Sequence, residues 1–318
     1  MPAPGTSPAR IPAVEWPTLA LLVLTYAAFA AGTLLWPVSG LLSVVVTAVA
    51  IAQYSSLQHE VLHGHPFRSQ MLSEATVFAG LTLFVPYLRF KDAHLQHHYD
   101  PNLTDPYDDP EANYMDPQVW QRTPRWAQRL LRVNNTLLGR ILLGPAISIW
   151  SFSGPDLAQI RAGNRRIIQS WVLHGLGVAL VLGWLWGFTD MPVWAWVIAA
   201  YLGYGLLKIR TFLEHRAHEA FRARTVIIED KGPLSLLFLN NNLHAVHHMH
   251  PSAPWYRLPG LYAERSAHYR RRNEDYVYSS YGEIFRRYLF KAKDPVPHPV
   301  WPVQKSATRI DQTDADAA

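Results

Sequence analysis

Four apolar stretches, Thr18 to Trp36, Val38 to Leu57, Ser170 to Phe188 and Met191 to Leu207, contain no Lys, Arg, Asp or Glu. Each approaches the roughly 20 residues a helix needs to cross a hydrocarbon layer, where backbone N–H and C=O groups must be satisfied within the segment itself. This predicts an all-α integral membrane protein with four main transmembrane helices. The runs pair into two hairpins, turning at Trp36 to Gly40 and at Phe188 to Pro192, so both turns are expected on one side. Neither turn carries Lys or Arg. All 29 basic residues lie before, between or after the hairpins. The positive-inside rule then puts the N-terminus, the middle segment and the C-terminal segment in the cytoplasm. The net charge of +5 is on this reading a topology signal. No basic patch accompanies a nucleic-acid-binding motif, so nucleic acid is not expected as a partner.

Two further apolar stretches, Ala75 to Leu88 and Leu137 to Phe152, are interrupted by Pro86, by Arg140 and by Gly144-Pro145, and are predicted to be interfacial or re-entrant helices. The first run follows a Pro-rich leader and is long enough to stay as a span, so no cleaved signal peptide is expected. Residues 1–302 are expected to form one membrane domain and 303–318 a solvated, disordered tail. The chain has no Cys, which excludes disulfides, thiolate metal sites and a cysteine nucleophile.

Three clusters, His59-Glu60-Val61-Leu62-His63, His94-Leu95-Gln96-His97-His98 and His244-Ala245-Val246-His247-His248, hold eight of the 15 histidines. On a helix, positions i, i+3 and i+4 share a face, so each cluster can aim two or three imidazoles at one point. The charge-derived topology puts all three clusters on the cytoplasmic side, in a histidine-rich cap. His215, just past the fourth run, adds a ninth candidate ligand at the level of His59. Nine imidazoles without thiolates suit two borderline ions such as iron, with positions left open for oxygen. Structural zinc is satisfied by four ligands and catalytic zinc by three plus water. Glu60, Glu214, Asp105, Asp108 and Asp109 are placed to orient the rings. His174, His268 and His298 stand alone and read as ordinary hydrogen-bonded side chains.

Two other classes compete. His59-Glu60-Val61-Leu62-His63 matches the HExxH of zinc peptidases, in which the Glu is general base. That reading leaves both HxxHH clusters and His215 unexplained. A membrane carrier of haem or metal would need polar ligands inside the spans. Apart from His174, these are nearly free of ionisable groups.

The order HxxxH, HxxHH, HxxHH, with the last two separated by a hairpin, resembles the membrane fatty acid desaturase and hydroxylase superfamily over roughly residues 40–260. Asp105-Pro106 and Leu213-Glu214-His215 are similar to superfamily features, the latter to those of alkane hydroxylases and carotenoid ketolases. Thr211 stands where animal acyl desaturases carry Asn. The resemblance implies that His59, His63, His94, His97, His98, His215, His244, His247 and His248 ligate two Fe ions, with His65, His218 and His250 as neighbours outside the shared spacing. It implies O2 as co-substrate and removal of hydrogen from an unactivated C–H bond. Desaturation results if a second hydrogen leaves, and hydroxylation if oxygen is delivered. The implied substrate is a lipid, first a fatty acyl chain, alternatively an alkyl or carotenoid chain for a hydroxylase or ketolase. Trp171, Trp184, Trp186, Trp194 and Trp196 are candidates to line its slot. With no Cys for an iron–sulfur module, electrons are expected from a separate ferredoxin, rubredoxin or cytochrome, and a basic surface including Arg270-Arg271-Arg272 suits an acidic carrier.

Overall fold

The computed structural model describes residues 14–301, so the tail expected over 303–318 lies outside the described residues. The chain runs α1 (Trp16–Leu34), α2 (Gly40–Leu62), α3 (Gln70–Ala75), α4 (Tyr87–His97), α5 (Pro117–Arg122), α6 (Arg125–Asn134), α7 (Leu137–Leu142), α8 (Gly144–Arg161), α9 (Arg165–Phe188), α10 (Val193–Thr211), α11 (Pro233–Leu237), α12 (His244–Met249), α13 (Leu258–Arg272) and α14 (Tyr281–Tyr288). A two-residue parallel pair, β1 (Ile227–Ile228) on β2 (Val277–Tyr278), is the only sheet among the described residues.

Three helices, α1, α2 and α9, are long and apolar enough to cross a membrane. The fourth apolar run forms α10, whose last turns carry Lys208 and Arg210. Starts and stops follow local chemistry. Ser39 and Asn164 cap α2 and α9 by accepting backbone N–H bonds, and Pro17 enters α1 where no N–H is needed. Inside lipid, helices gain little by hiding apolar surface from one another, so close approach through small residues decides packing. A Cβ on Gly32 would lie 2.7 Å from Thr47 Oγ1, and one on Gly203 would lie 2.7 Å from the Ala48 carbonyl. Glycine therefore sets the spacing of α1 and of α10 against α2. At one end of this bundle the Trp36 and Trp194 rings meet edge to face at 5.5 Å. At the other, Glu15 ahead of α1 holds His65 Nδ1 at 2.8 Å, just past α2.

The Ala75 to Leu88 stretch is not the helix expected of it. Residues 76–86 form a non-helical loop, entered after α3 and left at Pro86, with Leu83 in the left-handed region at φ 62°. Three spans tie it down: Tyr26 Oη donates to Thr76 O, Tyr54 Oη to Ala79 O and His174 Nε2 to Leu83 O, at 2.8, 2.5 and 2.7 Å. Irregular backbone among membrane helices survives when protein groups satisfy it in this way. The Leu137 to Phe152 stretch divides into α7 and the start of α8, breaking at Leu143-Gly144, and α8 continues to Arg161. The five tryptophans proposed for a slot scatter. Trp186 and Trp194 are 75% and 60% exposed, Trp196 is buried, Trp171 donates to Asp156 and Trp184 to Thr33.

Beyond the bundle, Phe212, Val226, Tyr281 and Ile284 form one small core and Ile227, Val246, Leu258 and Tyr269 another. The second core seats α12 on β1, through Ala245 N–H to the Val226 carbonyl and Ile228 N–H to the Asn242 carbonyl.

A candidate metal centre of two imidazole clusters

The last turn of α2, the helix α4, the strand-like segment after α10 and the helix α12 converge, and with them all nine candidate histidines. They divide into two groups whose ligand atoms lie within 4.8 Å of one another: His59, His63, His94, His98 and His247 in one, His97, His215, His244 and His248 in the other. Helical geometry explains the division. On α4 the i, i+4 pair His94 and His98 serves the first group, while His97, turned away, serves the second. On α12 the pair His244 and His248 serves the second group and His247 the first. Stacking of His98 on His248, ring centroids 4.3 Å apart, joins the two. His215 is not on a helix. It follows the end of α10 by four residues and is held by an antiparallel bridge to Thr225.

Behind the rings sit acceptors that fix their tautomers. His94 Nδ1 donates to Glu111 at 2.9 Å, His97 Nδ1 to Asp109 at 2.8 Å and His244 Nδ1 to the Asn241 side-chain oxygen at 3.0 Å. A neutral ring that donates through Nδ1 presents a bare lone pair at Nε2. Yet His94 Nε2 lies 3.0 Å from His98 Nε2, and His97 Nε2 lies 2.9 Å from His215 Nε2. His244 Nε2 is 3.1 Å from His215 Nε2 and 3.2 Å from His248 Nε2. His59 Nε2 and His63 Nε2 are buried with no hydrogen-bond partner. In one tautomer of His98, His215 and His248 these contacts are N–H···N hydrogen bonds; in the other, the ring nitrogens form sets of inward-facing lone pairs that a metal cation can take. Ligands at about 2.1 Å from one ion stand about 3.0 Å apart at a right angle and about 3.4 Å apart at the tetrahedral angle. The closest ring nitrogens, 2.9–3.2 Å apart, are within reach of a common metal ion at either angle.

Charge in the site gathers on His97 and Glu111. Burial and the facing imidazoles of His248, His94 and His63 hold His98 far below the usual histidine range. Burial also opposes a charge on His97, but Glu111 and Asp109 outweigh it and push its pKa up to about 9. His97 and His94, despite burial, hold the Glu111 carboxyl well below the usual carboxylate range. Carboxylates set behind otherwise neutral rings are the charge balance that a metal cation calls for.

Of the carboxylates expected to orient rings, Asp109 does so. Glu214 lies 3.8 Å from His244 Nδ1 and pairs with Arg210 at 3.0 Å. Glu60 is 4.0 Å from His59 Nδ1, with its other oxygen taken by the Trp255 N–H at 3.1 Å. A peptidase base would face water at the metal, whereas this carboxylate braces a backbone. Asp105 instead caps its own turn, accepting from Tyr107 and Asp108 N–H, and Asp108 itself is exposed. Glu111 and Asn241 were missed by sequence reasoning, although both fall within three residues of features it had marked, Asp109 and His244. His65, His218 and His250 stand outside both groups, as do the lone His174, His268 and His298. His298 is buried, 3.1 Å from Thr104 Oγ1.

The family model named Fatty acid desaturase matches residues 34–280. An 87-residue segment is 38% identical to Beta-carotene ketolase of Paracoccus sp. (strain N81106 / MBIC 01143), covering 26% of this chain and 34% of that protein.

Proposed function

The chain belongs to the fatty acid desaturase family, and from that premise we propose that it is a membrane oxidoreductase whose nine histidines hold two iron ions and which uses O2 to oxidise a lipid hydrocarbon chain. The observation that carries this reading is the pair of imidazole clusters, five rings and four, buried or half-buried, with ligand atoms within 4.8 Å of one another. When bound, the iron ions would supply O2 activation and the abstraction of hydrogen from an unreactive C–H bond. The chain's own part is orientation. Glu111, Asp109 and Asn241 keep the lone pairs of His94, His97 and His244 turned inward, and burial of His59, His94, His97, His244 and His247 keeps water away.

Desaturation of an acyl chain is the first reading. The ketolase segment favours a second, delivery of oxygen to a carotenoid. In either case the proposed topology has four spans, α1, α2, α9 and α10, with the metal centre and cap on the cytoplasmic side. Electrons would arrive from a separate carrier. A shallow surface opening reaches His248 between Arg222, Arg272 and Met249, where an acidic ferredoxin, rubredoxin or cytochrome could approach. Elemental analysis of the purified protein is expected to find two irons per chain. Turnover with O2, a reductase couple and acyl or carotenoid lipids, read by mass, separates loss of two hydrogens from gain of oxygen. One zinc and no iron would overturn the reading.

A further inference from the structure

The helix α6 is built unlike its neighbours. Between Asp116 and Asp156 the chain has no acidic residue, yet it carries Arg122, Arg125, Arg129, Arg132 and Arg140. At about 100° per residue, Arg132, Arg125 and Arg129 form one row along α6, and Val133, Trp126 and Leu130 form the row beside it. Both rows are exposed: Trp126 is 70%, Val133 51% and Leu130 38% accessible, and Arg125 and Arg129 have no acidic partner among the described residues. The remaining side, with half-buried Leu131 and buried Asn134, packs on the protein.

The apolar row has continuations. Leu142 on α7 and Trp150 on α8 are 51% and 83% exposed. Their depth is set by α10. Tyr201 Oη donates to the Leu142 carbonyl at 2.5 Å and Lys208 Nζ to Ser148 at 2.8 Å, which puts the α7–α8 junction alongside the second half of α10. A cationic row directly beside an aromatic and aliphatic row, at the end of a membrane helix, is the pattern of a helix lying at the boundary of headgroups and acyl chains.

We propose that α6 is such an interfacial helix and that Arg125, Arg129 and Arg132 bind the headgroups of anionic phospholipids while Trp126, Leu130 and Val133 sink to the level of the acyl chains. The helix is also wired to the site. The carbonyl of Asn135, its C-terminal cap, accepts the Lys293 N–H at 3.1 Å, and Lys293 Nζ donates to the His215 carbonyl at 3.0 Å. The binding itself stands independently of the metal assignment.

The test uses the full chain in nanodiscs of phosphatidylcholine with a minority of phosphatidylglycerol, one lipid or the other carrying brominated acyl chains. The fluorescence difference between the wild type and Trp126→Phe isolates Trp126. Its quenching is expected to favour brominated phosphatidylglycerol by about five-fold at equal bromolipid content, since each arginine near an anionic surface contributes attraction. In Arg125→Gln/Arg129→Gln/Arg132→Gln the preference should fall to parity, while the corresponding Lys triple variant should keep most of it. Equal quenching by both lipids in the wild type overturns headgroup recognition. Absence of quenching by either overturns placement in the bilayer and leaves the face to an acidic protein. If the Gln variant fails to fold, the wild-type ratio alone decides.

Discussion

His94 and His97 leave the same helix three residues apart, yet they enter different clusters and rest on different acceptors, Glu111 and Asp109. Ring-orienting partners of metal ligands commonly matter by 10–100-fold in metal affinity. Glu111→Leu is therefore expected to lower iron retention by about ten-fold or more in dialysis against a chelator, with the helical content unchanged. Asp108→Ala, three positions away and exposed, should retain iron as the wild type does. Equal losses in both variants would mean that the loop acts only through its net charge. The contrast marks where the sequence stopped being legible at this scale. Spacing brought forward eight of the nine histidines, and the position of His215 just past the fourth apolar run brought forward the ninth. Spacing could not assign them to clusters, because a rotation of α4 or α12 by one residue would exchange i+3 with i+4. Nor could it tell which of Asp105, Asp108, Asp109 and Glu111 turns inward, because that depends on a turn in which Asp105 is consumed as a cap.

At the scale of elements, glycines divide into those that touch a neighbouring helix and those that do not. A side chain on Gly203 would meet the Ala48 carbonyl and the Ile51 side chain, whereas one on Gly183 would have nothing within 4 Å. Gly203→Leu must push α10 away from α2, a cost of about 3 kcal/mol or more if the helices cannot separate freely. It should lower the unfolding temperature in detergent and release iron, since α2 carries His59 and the segment just after α10 carries His215. Gly183→Leu, on the open side of α9, should leave both unchanged, and matching losses in the two would refute the packing argument. The apolar runs predicted the long helices well because charge-free length is a strong signal. They misread residues 76–86 because an apolar stretch has no period that separates a helix from a loop buried among helices. Its carbonyls are satisfied by Tyr26, Tyr54 and His174, which come from three other segments of the chain.

For the whole molecule, orientation is the property that geometry leaves to charge. The structure places the Trp36 and Trp194 turns side by side and the histidine clusters beyond the opposite ends of the same helices. Which end faces the cytoplasm is a proposal that rests on the basic residues, none of which lies in the two turns. Because the chain has no cysteine, single substitutions report without background. Asp190, exposed in the second turn, and Arg271, exposed on α13 of the cap, are suitable positions. Asp190→Cys should react with a membrane-impermeant maleimide on intact cells. Arg271→Cys should react only after the membrane is opened. The reverse pattern would move the metal centre to the outer face and with it the requirement for a cytoplasmic electron carrier. Labelling of both positions in intact cells would mean that an even number of crossings separates them in place of the single one proposed, pointing to α10, with Lys208 and Arg210 in its last turns, as the helix that fails to cross.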